Sequence, residues 1–243
     1  MKSGRRIVIL VLAAMSLGAA CVFLLPLSRI VDWVMLRMAG LKTTNDRLAE
    51  FGEAARARLK PAFDAAGVTY PPGALMLVAV KSARTLSVYA GPGPGTLTLI
   101  LDYPVLGQSG GQGPKLREGD QQVPEGIYRI EGLNPNSSFY VSMRLNYPNE
   151  FDRKMAEADG RANHGSDIYI HGRTASIGCL AMGDTVIEEL FTLAADTGLE
   201  NIQVIITPTA TPDAGTAAEN APAWLPELYQ QLRDALKRVE VLE

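Results

Sequence analysis

The sequence predicts an α+β domain that is mainly β, with one helix inserted among the strands and further helices on either side. Between about residues 74 and 207, short runs rich in β-branched and aromatic residues are separated by turn residues, which is typical of strands in series. One stretch in this region instead repeats its apolar residues at helical spacing. Strands in series with one inserted helix favour a mainly β fold.

The N-terminus predicts a membrane-spanning segment. Lys2, Arg5 and Arg6 precede residues 7–25, which carry no charge and would form a helix about 28 Å long, close to the hydrocarbon thickness of a bilayer. The basic flank predicts that the rest of the chain lies outside the cytoplasm. A cleaved signal peptide is the alternative, with residues 18–20 as the cleavage site and Cys21 in a partial lipoprotein pattern. Because the apolar run continues past that site, we favour an uncleaved anchor.

Two helices are predicted between this segment and the strands. Residues 27–38 have an amphipathic pattern, and we interpret them as a juxtamembrane helix. A second helix begins at a capping Thr44 or Asn45 and ends at Gly67, and Pro61 kinks or restarts it. Its apolar residues recur at helical spacing and are Leu48, Phe51, Ala55 and Leu59. We interpret this second helix as a spacer between membrane and domain.

The strands and the inserted helix follow. Seven runs have strand patterns, at residues 75–80, 85–89, 96–101, 126–130, 139–145, 167–171 and 202–207. The stretch 91–95 superficially resembles a phosphate loop, but its prolines lack amide donors and no helix follows, so we interpret it as a turn. The inserted helix comes after Cys179. Thr185 and Glu188 predict a capping box at its start, and Gly198 predicts its end.

The C-terminal part combines a linker with a helix. Residues 208–222 are rich in Pro, Ala and Thr, which is typical of a linker. Residues 224–242 then have an amphipathic helical pattern with Pro226 near the start. The apolar stripe consists of Leu225, Leu228, Leu232, Leu236 and Val239. We expect this helix to pack on the domain that precedes it.

The composition excludes several classes of function. The chain has 243 residues, of which 47% are hydrophobic and 20% charged, so it can bury a core. Its net charge is −3, and no basic cluster indicates binding to nucleic acid. Two cysteines and two histidines form no ligand cluster, so we predict neither a metal site nor a cofactor. Since Cys21 lies in the apolar segment, a disulfide with Cys179 is not expected.

His171 and Cys179 are the residues that most clearly indicate chemistry. They lie eight positions apart, after an apolar strand pattern and among small residues. A thiolate is the nucleophilic form of cysteine, and a nearby imidazole can take the thiol proton and lower the thiol pKa. Gly172 and Gly178 flank the two residues and leave room for a substrate backbone. The alternative is a buried structural cysteine with an incidental histidine.

This run resembles the active-site signature of the L,D-transpeptidase (YkuD-type) family, because His171-Gly172 is followed by Ser-x-Gly-Cys at residues 176–179. Ordered blocks before it resemble the YafK-like branch of that family, and they lie at residues 113–120, 123–128, 133–138, 147–149 and 151–153. The resemblance covers about residues 74–207. Many family members have His where this chain has Ile177, and an Arg or Asn two residues after the cysteine, where this chain has Ala181. The YafK-like branch shares both differences.

The resemblance implies a fold, an activity and a domain organisation. The implied fold is the small β-sandwich or barrel of L,D-transpeptidases, and the implied activity is that of a cysteine enzyme acting on peptidoglycan. We therefore divide the chain into an anchor or signal peptide (1–26), a juxtamembrane helical segment (27–73), a catalytic domain (74–207) and a linker with a C-terminal helix (208–243). The catalytic domain is expected in the periplasm, either anchored to the cytoplasmic membrane or secreted after cleavage.

The resemblance also assigns roles to residues around the thiol. Cys179 is the expected nucleophile, His171 the base, and the carbonyl of Gly172 the group that orients the imidazole. The N–H groups of Gly178 and Cys179 are the expected oxyanion donors. His164 is the alternative base. Since the substrate carries carboxylates, the candidate substrate-binding residues are Arg173, Ser176, Lys115, Arg117 and Arg153, with Arg144 and Arg161 as further cations near the expected cleft.

Three functions remain open at this point. In the first, the enzyme transfers an acyl group from a thioester to an amine, which makes crosslinks or attaches a protein. In the second, the enzyme gives the same thioester to water, as an amidase that releases a wall-attached lipoprotein or trims peptides. The third is a wall-binding module without catalysis, which the intact His, Gly and Cys argue against. The expected partners are peptidoglycan stem peptides, a wall-attached lipoprotein and the membrane.

Overall fold

An eight-stranded mixed sheet organises the part of the chain that this computed structural model describes, namely Met38 and residues 40–216 and 221–239. The strands are β1 (Ala74–Val80), β2 (Thr85–Gly93), β3 (Thr96–Pro104), β4 (Gly126–Ser137), β5 (Tyr140–Leu145), β6 (Tyr169–His171), β7 (Leu180–Ala181) and β8 (Ile202–Thr207). Their order in the sheet is β3-β2-β1-β8-β4-β5-β6-β7. The mainly β fold class predicted from the sequence is confirmed.

Strand β4 connects the two halves of the sheet, because it pairs with a strand of each half. β1 runs parallel to β8, and β6 runs parallel to β7, whereas the other neighbours are antiparallel. The first residues of β4 pair with β8, and the rest of this long strand pairs with β5. All seven predicted strands are present in the structure. The eighth, β7, has two residues and is too short to give a pattern.

The N-terminal helix is part of the folded body, so its interpretation as a spacer is wrong. The helix consists of α1 (Thr44–Arg47), a π-helical stretch (Leu48–Gly52) and α2 (Glu53–Ala66). Leu59 and Phe63 are buried in the core. The Arg56 guanidinium also makes two hydrogen bonds of 2.7 Å to Asp196 on another helix. The spacing of apolar residues predicted the helix correctly. A helix with such an extensive apolar face has to pack against other elements of the fold.

The inserted helix α4 (Asp184–Thr197) begins differently from the prediction. Its N-cap is Gly183, whose φ of 79° suits glycine, and no side chain caps it. Thr185 lies inside the helix, so the predicted capping box is wrong. The Glu188 carboxylate instead accepts hydrogen bonds from Arg58 and Tyr140. The predicted end at Gly198 is confirmed.

Two further helices pack on the sheet, of which the sequence analysis predicted one and missed the other. Helix α3 (Glu150–Ala158) was not predicted, although Asn149 and Asp152 form a capping box that signals its start. Helix α5 (Leu225–Leu236) begins where expected, with proline in its first turn. Its apolar stripe packs on one face of the sheet, whereas α2 and α4 contribute to the core on the other face. Since both faces are covered, β1 is buried along its whole length.

The segment predicted as a linker is held against the body where the structure describes it. The Pro208 carbonyl accepts the N–H of Ser82 at 2.9 Å, and the Pro212 carbonyl accepts from Arg233 of α5 at 2.7 Å. The composition alone predicted a linker, whereas the carbonyls of Pro208 and Pro212 are hydrogen-bonded to the folded body.

The predicted anchor (7–25) and nearly all of the predicted juxtamembrane helix (27–38) lie outside the described residues. None of the helices described in the structure is long and apolar enough to cross a bilayer.

Candidate active site

The pairing of β6 with β7 brings His171 and Cys179 to the same face of the sheet. His171 ends β6, and Cys179 directly precedes β7. The two strands are parallel, with Ile170 opposite Leu180 and His171 opposite Ala181. Because side chains alternate along a strand, His171 and Cys179 point to one face as diagonal neighbours. Both line a single cavity of about 220 Å³.

The loop before Cys179 is fixed by a serine and by a glycine. The Ser176 hydroxyl donates to the Cys179 carbonyl at 2.7 Å and accepts from the Cys179 N–H at 3.0 Å. Gly178 has a φ of 87°, a conformation that L side chains rarely adopt. Ser176 therefore shapes the turn that presents the thiol.

A neighbouring segment presses against this loop. Gly107 forms an isolated antiparallel bridge with Ala181. A Cβ at Gly107 would lie 2.0 Å from the Thr174 carbonyl oxygen, so only glycine allows this approach. Two residues further on, the Ser109 hydroxyl accepts the Gly178 N–H at 2.7 Å. The segment of Gly107 and Ser109 thus holds Gly178 and Ala181, the residues on either side of the thiol, by hydrogen bonds.

The His171 imidazole is buried and oriented by the carbonyl that follows it. Its Nδ1 lies 2.6 Å from the Gly172 carbonyl oxygen, and the residue is 2% exposed. A carbonyl can only accept, so Nδ1 carries the proton and Nε2 is left to accept one. The Phe139 ring covers the imidazole, with ring centroids 4.5 Å apart. A Cβ at Gly172 would lie 2.7 Å from the Phe139 carbonyl oxygen, so the glycine permits this packing.

Both reactive groups are shifted toward their neutral forms. Burial lowers the pKa of His171, although its bond to the Gly172 carbonyl acts in the opposite direction. Burial raises the pKa of the Cys179 thiol, against smaller opposing effects of the Tyr169 backbone and the Lys115 charge. From the sequence, the imidazole was expected to lower the thiol pKa. The two shifts instead favour the neutral thiol and the neutral imidazole, which suits proton transfer at the moment of attack.

The predicted oxyanion donors are both engaged in other hydrogen bonds. The Gly178 N–H donates to Ser109, and the Cys179 N–H donates to Ser176. Their role as oxyanion donors stays a prediction.

The predicted substrate-binding cations are not gathered at the thiol. Lys115 is buried and binds Asp120 at 2.6 Å, and Arg173 binds Asp184 at 2.9 Å. Arg153 donates to the Pro148 carbonyl. None of these three residues lines the cavity of Cys179, because each is held by an acceptor near it in the fold.

Other predicted cations lie elsewhere as well. Arg117 and Arg161 line a separate groove of about 840 Å³ between the loops and α5. Arg144 lies 3.3 Å from Asp167. The alternative base His164 has its Nδ1 3.1 Å from the Gly165 carbonyl and does not line the cavity. Of the two histidines, only His171 shares a cavity with Cys179.

The sequence did not point to the other residues of this cavity. They come from the hairpin of β4 and β5 and from β6, namely Asn134, Ser137, Ser138, Phe139, Ser142 and Tyr169. Residues 133–138 belonged to a block that resembled the family, but nothing in their pattern placed them beside the thiol. Within the described ranges, no group of three His, Cys, Asp or Glu residues is placed to hold a metal ion.

The solved structures that are similar to this chain include two proteins of low sequence identity. The helical cell shape determining protein Pgp2 from Campylobacter jejuni is 20% identical with a TM-score of 0.46, over 66% of this chain and 54% of that one. L,D-transpeptidase 1 of Mycobacterium tuberculosis is 16% identical with a TM-score of 0.32, over 55% of this chain and 62% of that one.

Comparison of sequences gives a closer match. A protein of Escherichia coli (strain K12) described as “Putative L,D-transpeptidase YafK” is 37% identical over 139 residues, which are 55% of this chain and 54% of that protein. The chain thus matches about half the length of this curated relative. The family model of the YkuD L,D-transpeptidase catalytic domain matches residues 76–206, which include the Cys179 cavity. The chain therefore belongs to the YkuD family of L,D-transpeptidase catalytic domains.

Proposed function

We propose that this chain is a cysteine acyltransferase that acts on peptidoglycan stem peptides through a thioester on Cys179. One observation carries the proposal: an imidazole with its Nδ1 held by the Gly172 carbonyl shares a small cavity with the only cysteine described in the structure. That arrangement is what nucleophilic catalysis by a thiol requires, namely a nucleophile, a base and a group that orients the base. The family of the chain supports the substrate class.

The proposed reaction begins with attack on a peptide carbonyl. Nε2 of His171 accepts the thiol proton as Sγ of Cys179 bonds to the carbonyl carbon, and the electron pair of the C=O bond moves to oxygen. When this intermediate collapses, the C=O bond reforms and the C–N bond breaks. The imidazolium gives its proton to the leaving amine, and a thioester remains on Cys179. The same residues then work in reverse order when an acceptor attacks the thioester.

The orientation of His171 supports its role in both directions. The Gly172 carbonyl is uncharged, so it fixes the tautomer without holding a permanent positive charge on the ring. The covering Phe139 ring keeps water from one side of the imidazole. A neutral base with a lowered pKa gives up the acquired proton readily to a departing amine.

The acceptor decides between transpeptidase and amidase activity. An amine acceptor gives a crosslink or an attached protein, and water gives a shortened or released peptide. Both reactions pass through the same thioester and use the same residues. We propose transpeptidation as the principal activity, in line with the family to which the chain belongs. Release of a wall-attached lipoprotein by hydrolysis is the alternative.

The decisive experiment supplies defined muropeptides in water enriched in ¹⁸O and analyses the products by mass spectrometry. Transpeptidation gives a crosslinked dimer without ¹⁸O in the new amide bond. Hydrolysis gives a monomer with one ¹⁸O in its new carboxylate, and a lipopeptide-linked substrate tests lipoprotein release in the same way. The Cys179→Ala chain is the matched control. No product from the wild-type chain with any of these substrates would favour a wall-binding module and contradict the proposal.

The proposed location follows from the N-terminal sequence and the substrate. We propose that residues 7–25 anchor the chain in the cytoplasmic membrane and that the catalytic domain works in the periplasm. Secretion after cleavage is the alternative. In both cases the domain lies on the side of the membrane where crosslinked peptidoglycan is found.

A further inference from the structure

The hairpin of β4 and β5 covers the proposed base. Ser138 and Phe139 join its two strands, and the Phe139 ring lies over the His171 imidazole with ring centroids 4.5 Å apart. His171 is 2% exposed, whereas Phe139 is 42% exposed. The cover is therefore one ring at the tip of a hairpin, with water on its outer side. How deeply the base is buried depends on what holds that tip in place.

The pairing of β4 with β5 is irregular just before this tip. The register shifts between Asn134 and Ser137, where residues 135 and 136 of β4 lie opposite Val141 alone. Tyr140, the first residue of β5, has a φ of 80°, which residues other than glycine rarely adopt. A bulge interrupts the ladder of hydrogen bonds, and such a backbone conformation persists only where its surroundings impose it. Contacts from outside the hairpin therefore have to fix its tip.

Arg47, which ends α1, bridges the two strands at this irregular point. Its Nε donates to the Pro135 carbonyl at 2.8 Å, and its Nη2 donates to the Tyr140 carbonyl at 3.5 Å. The guanidinium carbon also lies 5.2 Å from the centre of the Tyr140 ring. Glu50 on the same helix accepts from Nη1 at 3.0 Å and so orients the group. The Arg47 side chain is 14% exposed, so water competes little for these contacts.

Tyr140 is held from further directions as well. Its hydroxyl donates to Glu188 of α4 at 2.7 Å, and its ring lies 6.1 Å from the Phe51 ring. The guanidinium carbon of Arg173 lies 5.9 Å from the centre of the same ring. These contacts fix Tyr140, which is one side of the hairpin. Arg47 differs from them because it binds a carbonyl on each strand.

The bridge comes from a part of the chain that lies before the matched catalytic domain. The family model matches residues 76–206, so Arg47 belongs to a helix outside that match. A guanidinium suits the bridging role because its donors lie in one rigid plane and can reach two acceptors at once. The ammonium of a lysine, on a flexible stem, does not span two carbonyls in the same way.

We propose that Arg47 is a positioning residue for the base, because it holds the β4–β5 hairpin where Phe139 covers His171. The inference rests on the proposed function and adds to it a residue that touches no reacting atom. Without the bridge, the tip of the hairpin moves away and water reaches the imidazole. A hydrated imidazolium holds its proton more strongly, so it passes that proton less readily to the leaving amine.

The imidazole responds to water because it has no charged partner of its own. Cys179 and Tyr169 are the other titratable residues that line its cavity, and the hairpin contributes only uncharged residues there. Arg173, which follows shortly after the base in the chain, is paired with Asp184 at 2.9 Å. Burial lowers the pKa of His171, so access of water should raise that pKa toward its ordinary 6.5.

Exchange of the imidazole Cε1–H for deuterium measures the cover without requiring turnover. Mass spectrometry of peptides from the full chain follows each histidine separately. The dependence of the exchange rate on pH gives the pKa of the imidazole, and the rate of the neutral form reports access of water. His164 is the internal reference, since it does not line the Cys179 cavity.

The test compares Arg47→Met with the wild-type chain. We expect exchange at His171 to become about tenfold faster, which is the usual effect on a local opening of losing one hydrogen bond. The pKa of His171 should rise toward 6.5, and the acid limb of kcat/KM for muropeptides should move up with it. Arg47→Lys keeps the charge and one donor but does not span both carbonyls, so its values should lie between those of the wild type and Arg47→Met.

Arg56→Met is the matched control. It removes an arginine from the same N-terminal helix, but its two hydrogen bonds of 2.7 Å go to Asp196 on α4 and not to the hairpin. The control should lose stability and keep wild-type exchange at His171 and a wild-type acid limb. A residue with a merely structural role would behave like this control.

Two results would overturn the inference: wild-type exchange at His171 in a folded Arg47 variant, or equal changes in Arg56→Met. If Arg47→Met does not fold, Arg47→Lys decides by the same criterion. A wild-type chain that converts no muropeptide would contradict the proposed function. In that case the exchange rates would still decide whether Arg47 holds the hairpin over His171.

Discussion

At the scale of single residues, the environment of Cys179 and His171 differs from what the motif alone suggests. A cysteine near a histidine is often written as a thiolate and an imidazolium. Burial here acts on both groups, raising the pKa of the thiol and lowering the pKa of the imidazole. These directions favour the proton on sulfur in the free protein, and in the proposed mechanism the base removes it as substrate is attacked.

This arrangement predicts the pH dependence of two measurements. His171 must be neutral to accept a proton, and its pKa is below its ordinary 6.5, so the acid limb of kcat/KM should lie below pH 6.5. The thiol pKa is above its ordinary 9.0, so alkylation of Cys179 by iodoacetamide should increase through the alkaline range. A plateau of fast alkylation around neutral pH would indicate a preformed ion pair and contradict the prediction.

Replacement of the proposed nucleophile gives a second prediction at this scale. Cys179→Ala should lower muropeptide turnover by at least about 10³-fold, because the other residues of the site cannot form a thioester. Its melting temperature should stay close to that of the wild type, since the thiol is partly exposed and makes only a weak 3.8 Å contact with the Asp167 carbonyl. Turnover near the wild-type rate would remove Cys179 from the mechanism.

How much of the site could be predicted from the sequence depends on where its residues lie along the chain. The short run from His171 to Cys179 was sufficient to propose a nucleophile and a base, because these residues are close in the chain, and the family resemblance implied the orienting carbonyl of Gly172. Asn134 and Ser142 lie on other strands and reach the same cavity only through strand register. Register depends on the pairing of distant segments, so a single sequence without structure did not identify them.

At the scale of elements, a buried ion pair joins three parts of the fold. Lys81, which follows β1, donates to Glu125, which precedes β4, at 2.9 Å. Lys81 also donates to the Gly113 and Val123 carbonyls at 2.9 Å each. Tyr229 of α5 donates to the same carboxylate at 2.8 Å. The pair thus connects the centre of the sheet, the loop before β4 and the C-terminal helix.

This pair gives a prediction of stability. Lys81→Met should lower the free energy of unfolding by about 3–5 kcal/mol, because it leaves the Glu125 carboxylate buried without its cation. The double variant Lys81→Met with Glu125→Met should lose less, since no unpaired charge remains. Urea denaturation followed by circular dichroism measures both values. A double variant that is less stable than Lys81→Met would contradict this account.

The elements also show which sequence patterns were informative. The strands were predictable because each is a run of apolar residues between turns, and the end of α4 because Gly198 is a helix terminator. Helix α3 was missed because only two of its residues are buried, which gives little apolar periodicity. The N-terminal helix was predicted as a helix, but its packing against α4 involves residues more than a hundred positions away.

At the scale of the whole molecule, the N-terminal sequence predicts how the chain is held in the cell. The uncharged run of residues 7–25 behind a basic flank predicts that the chain stays intact and membrane-bound. The mass of the protein extracted from membranes should therefore include the residues before Cys21. A mass that begins at Cys21 with a lipid adduct, or just beyond it without one, would show that processing occurs instead.

The parallel pairing of β1 with β8 has a consequence for biosynthesis. Leu75 is opposite Ile202, so the two central strands of the sheet are separated by more than half of the chain. The ribosome has to make almost the whole domain before these strands can meet, and such non-local pairing also slows folding. The emerging polypeptide consequently remains without its central core for most of its synthesis, which is the state that a chain must have to be threaded across a membrane.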